Sequence, residues 1–249
     1  MINTDLEQAI NAFLQVKLYR DFAPNGLQVE GKKEIKKIVT GVTACQRLLD
    51  EAVRLNADAV LVHHGYFWKN EPVTITGIKH HRIKTLLTHD INLFAYHLPL
   101  DGHNQIGNNA LLATNLGITV DERQDITDLL FKGSLTHPLS AMHLKTYIEE
   151  TLKQPVLFCG DNAPNLVKRI AWCSGGGQDY IEEAALLGFD AFMTGEVSER
   201  TIHIAREYGI NFYAAGHHAT ERYGIKALGD WLADRYSLDV IFVDIDNPA

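Results

Sequence analysis

Six side chains have the residue types and spacing to hold or serve metal ions. His63 and His64 stand together at the end of the apolar run Asp58-Ala59-Val60-Leu61-Val62, just ahead of Gly65. His97 and Asp101 follow a second apolar run, Ile91 to Tyr96, and His217 and Glu221 follow a third, Asn211 to Ala214. The last pair is four residues apart, so a helix starting at His217 puts both on one face. Imidazole nitrogens and carboxylate oxygens are the donor set that accommodates Zn, Mn, Fe, Co or Ni. His63, His64, Asp101, His217 and Glu221, with one carboxylate bridging, fit two divalent ions better than one and leave positions open to water. Two such ions about 3.5–4 Å apart activate water and polarise a phosphoryl or carbonyl oxygen. The chemistry expected from these residues is metal-assisted hydrolysis, with Asp101 or Glu221 as the bridge. His97 is the candidate catalytic group, either hydrogen-bonding behind the ligands or moving a proton.

Each cluster also has a purely structural reading. Adjacent residues on an ideal strand point to opposite faces, so His63 and His64 meet only where the strand ends and Gly65 turns the chain. Otherwise one is a core histidine and the other a surface one. Asp101-Gly102 reads equally as an ordinary turn with Asp101 as a cap, and a single HxxxE pair arises often by chance. What joins the three clusters is that each directly follows a predicted strand, where ligands gather in open α/β sheets.

The surrounding pattern supplies those strands. A helix over 6–13, with Thr4 and Glu7 as a capping box, leads to a loop, Tyr19 to Gln28, that turns at Pro24 and Asn25-Gly26. That loop is either a surface turn or a wall whose Asn25 and Gln28 orient a ligand or a metal-bound water. A β-branched run over 35–43, a helix over 46–56 and a buried strand over 57–62 imply a right-handed crossover between parallel strands. A helix over 78–89, a strand over 91–96, a rigid loop at Leu98-Pro99-Leu100 and a helix over 104–116 follow. After a polar stretch over 121–133 ending in a short strand come a helix over 140–152 and a strand over 156–159. The change of rhythm suggests a boundary near 125. Strands near 167–173 and 188–192, helices near 179–187 and 199–208, and a strand near 209–213 then echo the first half. Gly188-Phe189-Asp190-Ala191-Phe192 parallels Asn56-Ala57-Asp58-Ala59-Val60, which raises the suspicion of duplication. A helix over 217–236 and a strand over 238–243 close the chain. The expected architecture is α/β, with a metal-binding domain over 1–125 plus 214–249 and a second α/β domain over 126–213. Gly175-Gly176-Gly177 lacks the dinucleotide and P-loop patterns and reads either as a structural turn, the preferred reading, or as a cradle for an anion at the following helix N-terminus.

Composition narrows the function classes. The chain has a formal charge of −8, 46% apolar and 22% charged residues, so nothing favours a nucleic-acid backbone. Lys32-Lys33 and Lys36-Lys37 read as a solvated edge. No apolar run spans a bilayer, and the N-terminal residues lack the pattern of a secretory signal. Cys45, Cys159 and Cys173 show no CxxC spacing and read as reduced, partly buried residues of a cytoplasmic protein.

Asn25-Gly26-Leu27-Gln28, His63-His64-Gly65, His97 with Asp101, and Gly216-His217-His218-Ala219-Thr220-Glu221 together resemble the NGG-interacting-factor family. Its bacterial members are labelled GTP cyclohydrolase I type 2 homologues. The resemblance spans essentially the whole chain and looks close to the short bacterial members associated with radiation resistance. It implies two linked α/β domains, three-layer-like, with mostly parallel or mixed sheets and the last helix and strand returning to the first domain. It also implies homohexameric rings with dinuclear metal sites facing an internal cavity. The family's ligands carry over to His63, His64, Asp101, His217 and Glu221 without departure.

The reading that results is a dinuclear metal-dependent hydrolase of a nucleotide or related small molecule, with damaged-nucleotide removal as the associated role. Opening a GTP ring needs attack at purine C8 and a pocket for the triphosphate, for which no Arg/Lys cluster is evident. Phosphoester hydrolysis is chemically easier, because the two metals would hold the phosphate themselves. The alternatives are a non-enzymatic metal-binding scaffold, and a DNA-associated ring that would need a basic lumen.

Overall fold

The structure is a computed structural model describing residues 1–249. In chain order the elements are α1 (Asn3–Phe13), β1 (Gly26–Val29), β2 (Lys37–Thr43), α2 (Gln46–Arg54), β3 (Ala59–His64), α3 (Gly77–Thr88), β4 (Asn92–Ala95), α4 (Leu98–Gly102), α5 (Asn108–Asn115), β5 (Ile118–Val120) and β6 (Phe131–Ser140). They continue as α6 (Ala141–Leu152), β7 (Leu157–Cys159), β8 (Leu166–Trp172), α7 (Ile181–Leu186), β9 (Ala191–Thr194), α8 (Glu199–Tyr208), β10 (Asn211–Ala214), α9 (His217–Tyr236) and β11 (Asp239–Phe242). Two compact units result: Met1–Leu100 with Gly224–Asp246, and Asp101–Tyr223 with Asn247–Ala249. Their breaks fall inside α4 and α9. No helix is long and apolar enough to cross a membrane.

The first unit holds a five-stranded mixed sheet in the order β1-β4-β3-β2-β11. β2, β3 and β4 run parallel, β1 is antiparallel to β4, and the C-terminal β11 returns to pair parallel with β2. Alternation along the strands sends Val39, Val60, Val62 and Leu93 to one face, where Leu48 and Leu49 of α2 and Ile83 and Leu86 of α3 cover them. On the other face Gly229 of α9 approaches Thr40 so closely that an added Cβ would lie 3.0 Å from its side chain. The second unit holds a six-stranded mixed sheet, β5-β6-β8-β9-β10-β7. Ile170, Trp172, Met193 and Tyr213 pack under Leu144, Ile148 and Leu152 of α6. Ala171, Phe192 and Phe212 face Ile181 and Ala184 of α7 and Ala205 of α8. Both are α/β sheets covered on two sides, as expected.

The internal echo is structural as well as sequential. β2-α2-β3-α3-β4 and β8-α7-β9-α8-β10 are both parallel crossovers. The left-handed residues entering their strands correspond: Asn56 (φ 53°) with Gly188 (φ 75°), and Asp90 (φ 53°) with Gly209 (φ 66°). Asp58 Oδ2 accepts from the Lys36 and Lys37 amides at 3.0 and 3.1 Å, and Asp190 Oδ2 from those of Lys168 and Arg169 at 2.9 and 2.8 Å. Asn92 and Asn211 donate to the Asp58 and Asp190 carbonyls at 3.1 and 3.0 Å. Each Asp-Asn pair satisfies backbone groups where two parallel strands start together.

Several local expectations are corrected. α1 starts at Asn3 without a side-chain cap, and Glu7 instead accepts from the Leu27 amide at 2.9 Å, fastening β1 to the helix. The expected helix over 104–116 begins only at Asn108, and the expected rigid loop at 98–100 is the start of the short helix α4, which carries Asp101. The polar stretch after residue 121 is flanked by β5, too short to show a pattern, and by the ten-residue β6.

Candidate metal centre

β3 does not stop at Val62 but includes both histidines. Its pairing with β4 ends at Val62, whereas pairing with β2 continues to Thr43 opposite His64. Released on one side, the strand end lets adjacent imidazoles approach: the His63 and His64 rings are 4.5 Å apart. His97, just past β4, adds a third ring at 5.1 Å from His63 and 5.7 Å from His64. These three offer ligand nitrogens within 4.8 Å of one another. Gly65 serves by close approach: an added Cβ would lie 2.2 Å from Gln28 Oε1. The left-handed turn falls instead at Phe67, φ 65°.

The same hydrogen-bond logic fixes each ring. His63 Nδ1 lies 2.9 Å from the Tyr96 carbonyl, His64 Nδ1 3.2 Å from Thr43 Oγ1, and His97 Nδ1 2.7 Å from Asp21 Oδ1. A carbonyl or carboxylate partner accepts the Nδ1 proton of His63 and His97, so Nε2 is left as their donor atom toward an ion, the arrangement typical of metal-ligating histidine. Asp21 is the residue the sequence reading missed. It also accepts from Asn25 Nδ2 at 2.8 Å and from the Leu98 amide at 2.9 Å, and its side chain is 4% exposed. Burial pushes its carboxyl up, but the hydrogen bond and charge of His97, then Asn25 and the Leu98 amide, outweigh that and hold its pKa at about 2. Asn25 Oδ1 in turn accepts from the His97 amide at 2.7 Å. The Tyr19 to Gln28 loop is thus a brace for His97, and Gln28 secures the turn after β3 through the Tyr66 amide at 2.7 Å.

In the second unit, His217 opens α9 and Glu221 lies one turn on, with His217 Nε2 3.0 Å from Glu221 Oε2. His217 Nδ1 is 2.7 Å from Glu196 Oε1, so the segment after β9 supplies an orienting carboxylate behind the imidazole. Burial lowers the His217 pKa, but Glu221 and then Glu196 outweigh it and raise it to about 9. Asp101 and Glu221 are buried and offer oxygens within 4.8 Å of one another. Asp101 Oδ1 accepts from Asn108 Nδ2 at 2.8 Å and Ser174 Oγ at 3.1 Å. The first glycine of the triple-glycine turn is required here. Gly175 has φ 60°, and an added Cβ would lie 2.0 Å from Glu221 Oε1 and 3.0 Å from His217 Nε2. Burial, then Asp101 and Glu221, push the Cys173 thiol well above its ordinary value.

The residues fit divalent ions. The donors are imidazole nitrogen and carboxylate oxygen, the rings are pre-oriented from behind, and two carboxylates are buried in one unit, where a cation offsets the cost of their charge. Fold and side chains therefore define an α/β protein with clustered His, Asp and Glu of a metal-binding kind. The comparisons agree. The family described as Duf34/NIF3 (NGG1p interacting factor 3) matches residues 1–248, and this chain belongs to that family. The "GTP cyclohydrolase 1 type 2 homolog" of Yersinia pestis is 62% identical over 100% of both chains, and that of Escherichia coli K12 is 60% identical over 100% of both. A solved structure of protein ybgI, described as of unknown function, superposes with TM-score 0.97 at 59% identity over 100% of both chains. The crystal structure of TTHA1606 from Thermus thermophilus follows with TM-score 0.89 at 30% identity, again covering 100% of both.

Proposed function

We propose that this protein is a dinuclear metal-dependent hydrolase of a nucleotide or related small molecule, with His63, His64, Asp101, His217 and Glu221 as ligands. The observation that carries it is the common build of the histidines: Nδ1 engaged from behind in His63, His64 and His217, with His217 Nε2 beside Glu221. Two divalent ions so held would activate water and polarise the bond to be cleaved. Asp101, fixed by Asn108 and Ser174, and Glu221, one turn from His217, are the carboxylates suited to bridging. His97, held by Asp21, presents Nε2 beside the first pair of histidines and is placed to take or return a proton there.

The names of the relatives support a purine nucleotide as one substrate class. A cytoplasmic location, a homohexameric ring and membership of the radiation-resistance-associated group, with damaged nucleotides as substrates, extend the resemblance. Native mass spectrometry reads the ring as a particle six times the 27.9 kDa chain. The functional test is hydrolysis of a nucleotide and phosphoester panel by protein reloaded with each candidate metal. Turnover that disappears in Asp101→Ala and with chelator supports the hydrolase. A fully loaded protein that turns over nothing, with Asp101→Ala affecting assembly alone, favours a metal-binding scaffold.

A further inference from the structure

Trp68 is a large aromatic side chain fixed beside the histidines. Its ring centroid lies 4.9 Å from that of His97, edge-on at 84°, and 5.9 Å from that of His64. The indole is pinned: Nε1–H donates to the Gly65 carbonyl at 3.2 Å, closing the turn that leaves β3. The turn itself is built at some conformational cost, because Phe67 takes φ 65°, which a bulky residue rarely adopts. Four ties hold it there. The Tyr66 hydroxyl donates to the Ala44 carbonyl at 2.8 Å, and Gln28 Nε2 donates to the Tyr66 carbonyl at 3.1 Å. The Lys69 amide donates to the Phe22 carbonyl at 2.7 Å, and the Lys79 ammonium sits 4.9 Å from the Phe67 ring centroid. For all that anchoring, Trp68 is not fully buried, and part of its surface stays in water. Burying a tryptophan in the core would have used that area, and a solvated turn would have no use for the ring.

We propose that Trp68 is the stacking surface for a planar heteroaromatic ring, so that the substrates are nucleotides recognised in part by the base. This rests on the hydrolase reading above and adds the base as a determinant of binding. A rigid aromatic wall is suited to it, since every base has a π-face and the fixed indole loses little freedom on stacking. The polar partners of a base edge are not required for it, which makes the surface tolerant of altered bases.

The test is equilibrium binding to the full-length, metal-loaded protein of two probes, guanosine 5′-monophosphate and ribose 5-phosphate, which share the sugar and phosphate and differ in the base. Wild type is expected to hold the nucleotide at least about ten-fold more tightly. Trp68→Leu and Trp68→Ala should remove most of that preference, leave ribose 5-phosphate within about two-fold, and keep the metal content; Trp68→Phe should restore most of it. Equal affinity of wild type for the two probes, or failure to bind either, overturns the proposal. So does an equal loss for both probes in Trp68→Leu, or lost metal, since either would make the indole only a brace for His97. Should Trp68→Ala fail to fold, the Leu and Phe variants decide. The hydrolase reading fails separately, by absence of turnover in loaded wild type.

Discussion

Replacing Asp21 by Asn isolates the charge behind His97 while keeping the side chain's shape. The carboxylate serves four donors with two oxygens: His97 Nδ1 and the Phe22 amide at Oδ1, and Asn25 Nδ2 and the Leu98 amide at Oδ2. An amide turned either way presents NH2 to one of those groups, so a buried donor loses its acceptor. A charge-assisted bond of this kind is worth about 1.5–3 kcal/mol, and Asp21→Asn should cost about 2–3 kcal/mol on the same basis. The acid profile gives a second measure. The folded pKa, about 2, lies below the ordinary 3.8, so the stabilisation is complete above the unfolded value and is lost as pH falls through the folded one. That gap amounts to about 2 kcal/mol, released between pH about 4 and about 2. Urea unfolding of chelator-treated protein, followed by far-UV circular dichroism across that range, reads both. Wild type should lose this increment on acidification and Asp21→Asn should not. A variant within about 0.5 kcal/mol of wild type, with an unchanged acid profile, refutes the view that Asp21 holds His97 in place.

Two further substitutions probe the second unit. Gly175→Ala puts a methyl into Glu221 Oε1 and strains a backbone at φ 60°; titration with Zn or Mn should show affinity lost without loss of fold. Glu196→Gln keeps an acceptor for His217 Nδ1 but removes its charge, and metal affinity should fall about 10- to 100-fold. If competition with a chromophoric chelator shows no change for Glu196→Gln, the carboxylate behind His217 is only a surface ion pair.

The parallel crossovers were legible because they repeat local signals: β-branched runs, helical spacing, and left-handed Asn, Asp or Gly just before a strand. The candidate metal-binding side chains were legible because they lie at a strand's end, as His63 and His64 do in β3, or shortly past one, as Asp101 and His217 do after β4 and β10. Asp21 was not, because it lies 76 residues from His97 in a loop, and only the folded chain shows that its oxygens accept from Asn25, His97 and Leu98 together. That Glu196 backs His217 was not legible for the same reason: the contact depends on where β9 ends relative to the first turn of α9. The capping box at Thr4 and Glu7 failed because a tertiary partner, the Leu27 amide, competed for Glu7. Asp101 looked like a turn residue until α4 and its bonds to Asn108 and Ser174 placed it in the interior.

The central claim is that these side chains hold metal. Elemental analysis of freshly purified wild type alongside Asp101→Ala and His63→Ala tests it most directly. The account predicts about two divalent ions per chain in wild type, as a two-metal site requires, and loss of at least one in each variant. Wild type purified without metal that takes up none on titration, or variants that retain the full complement, would contradict it.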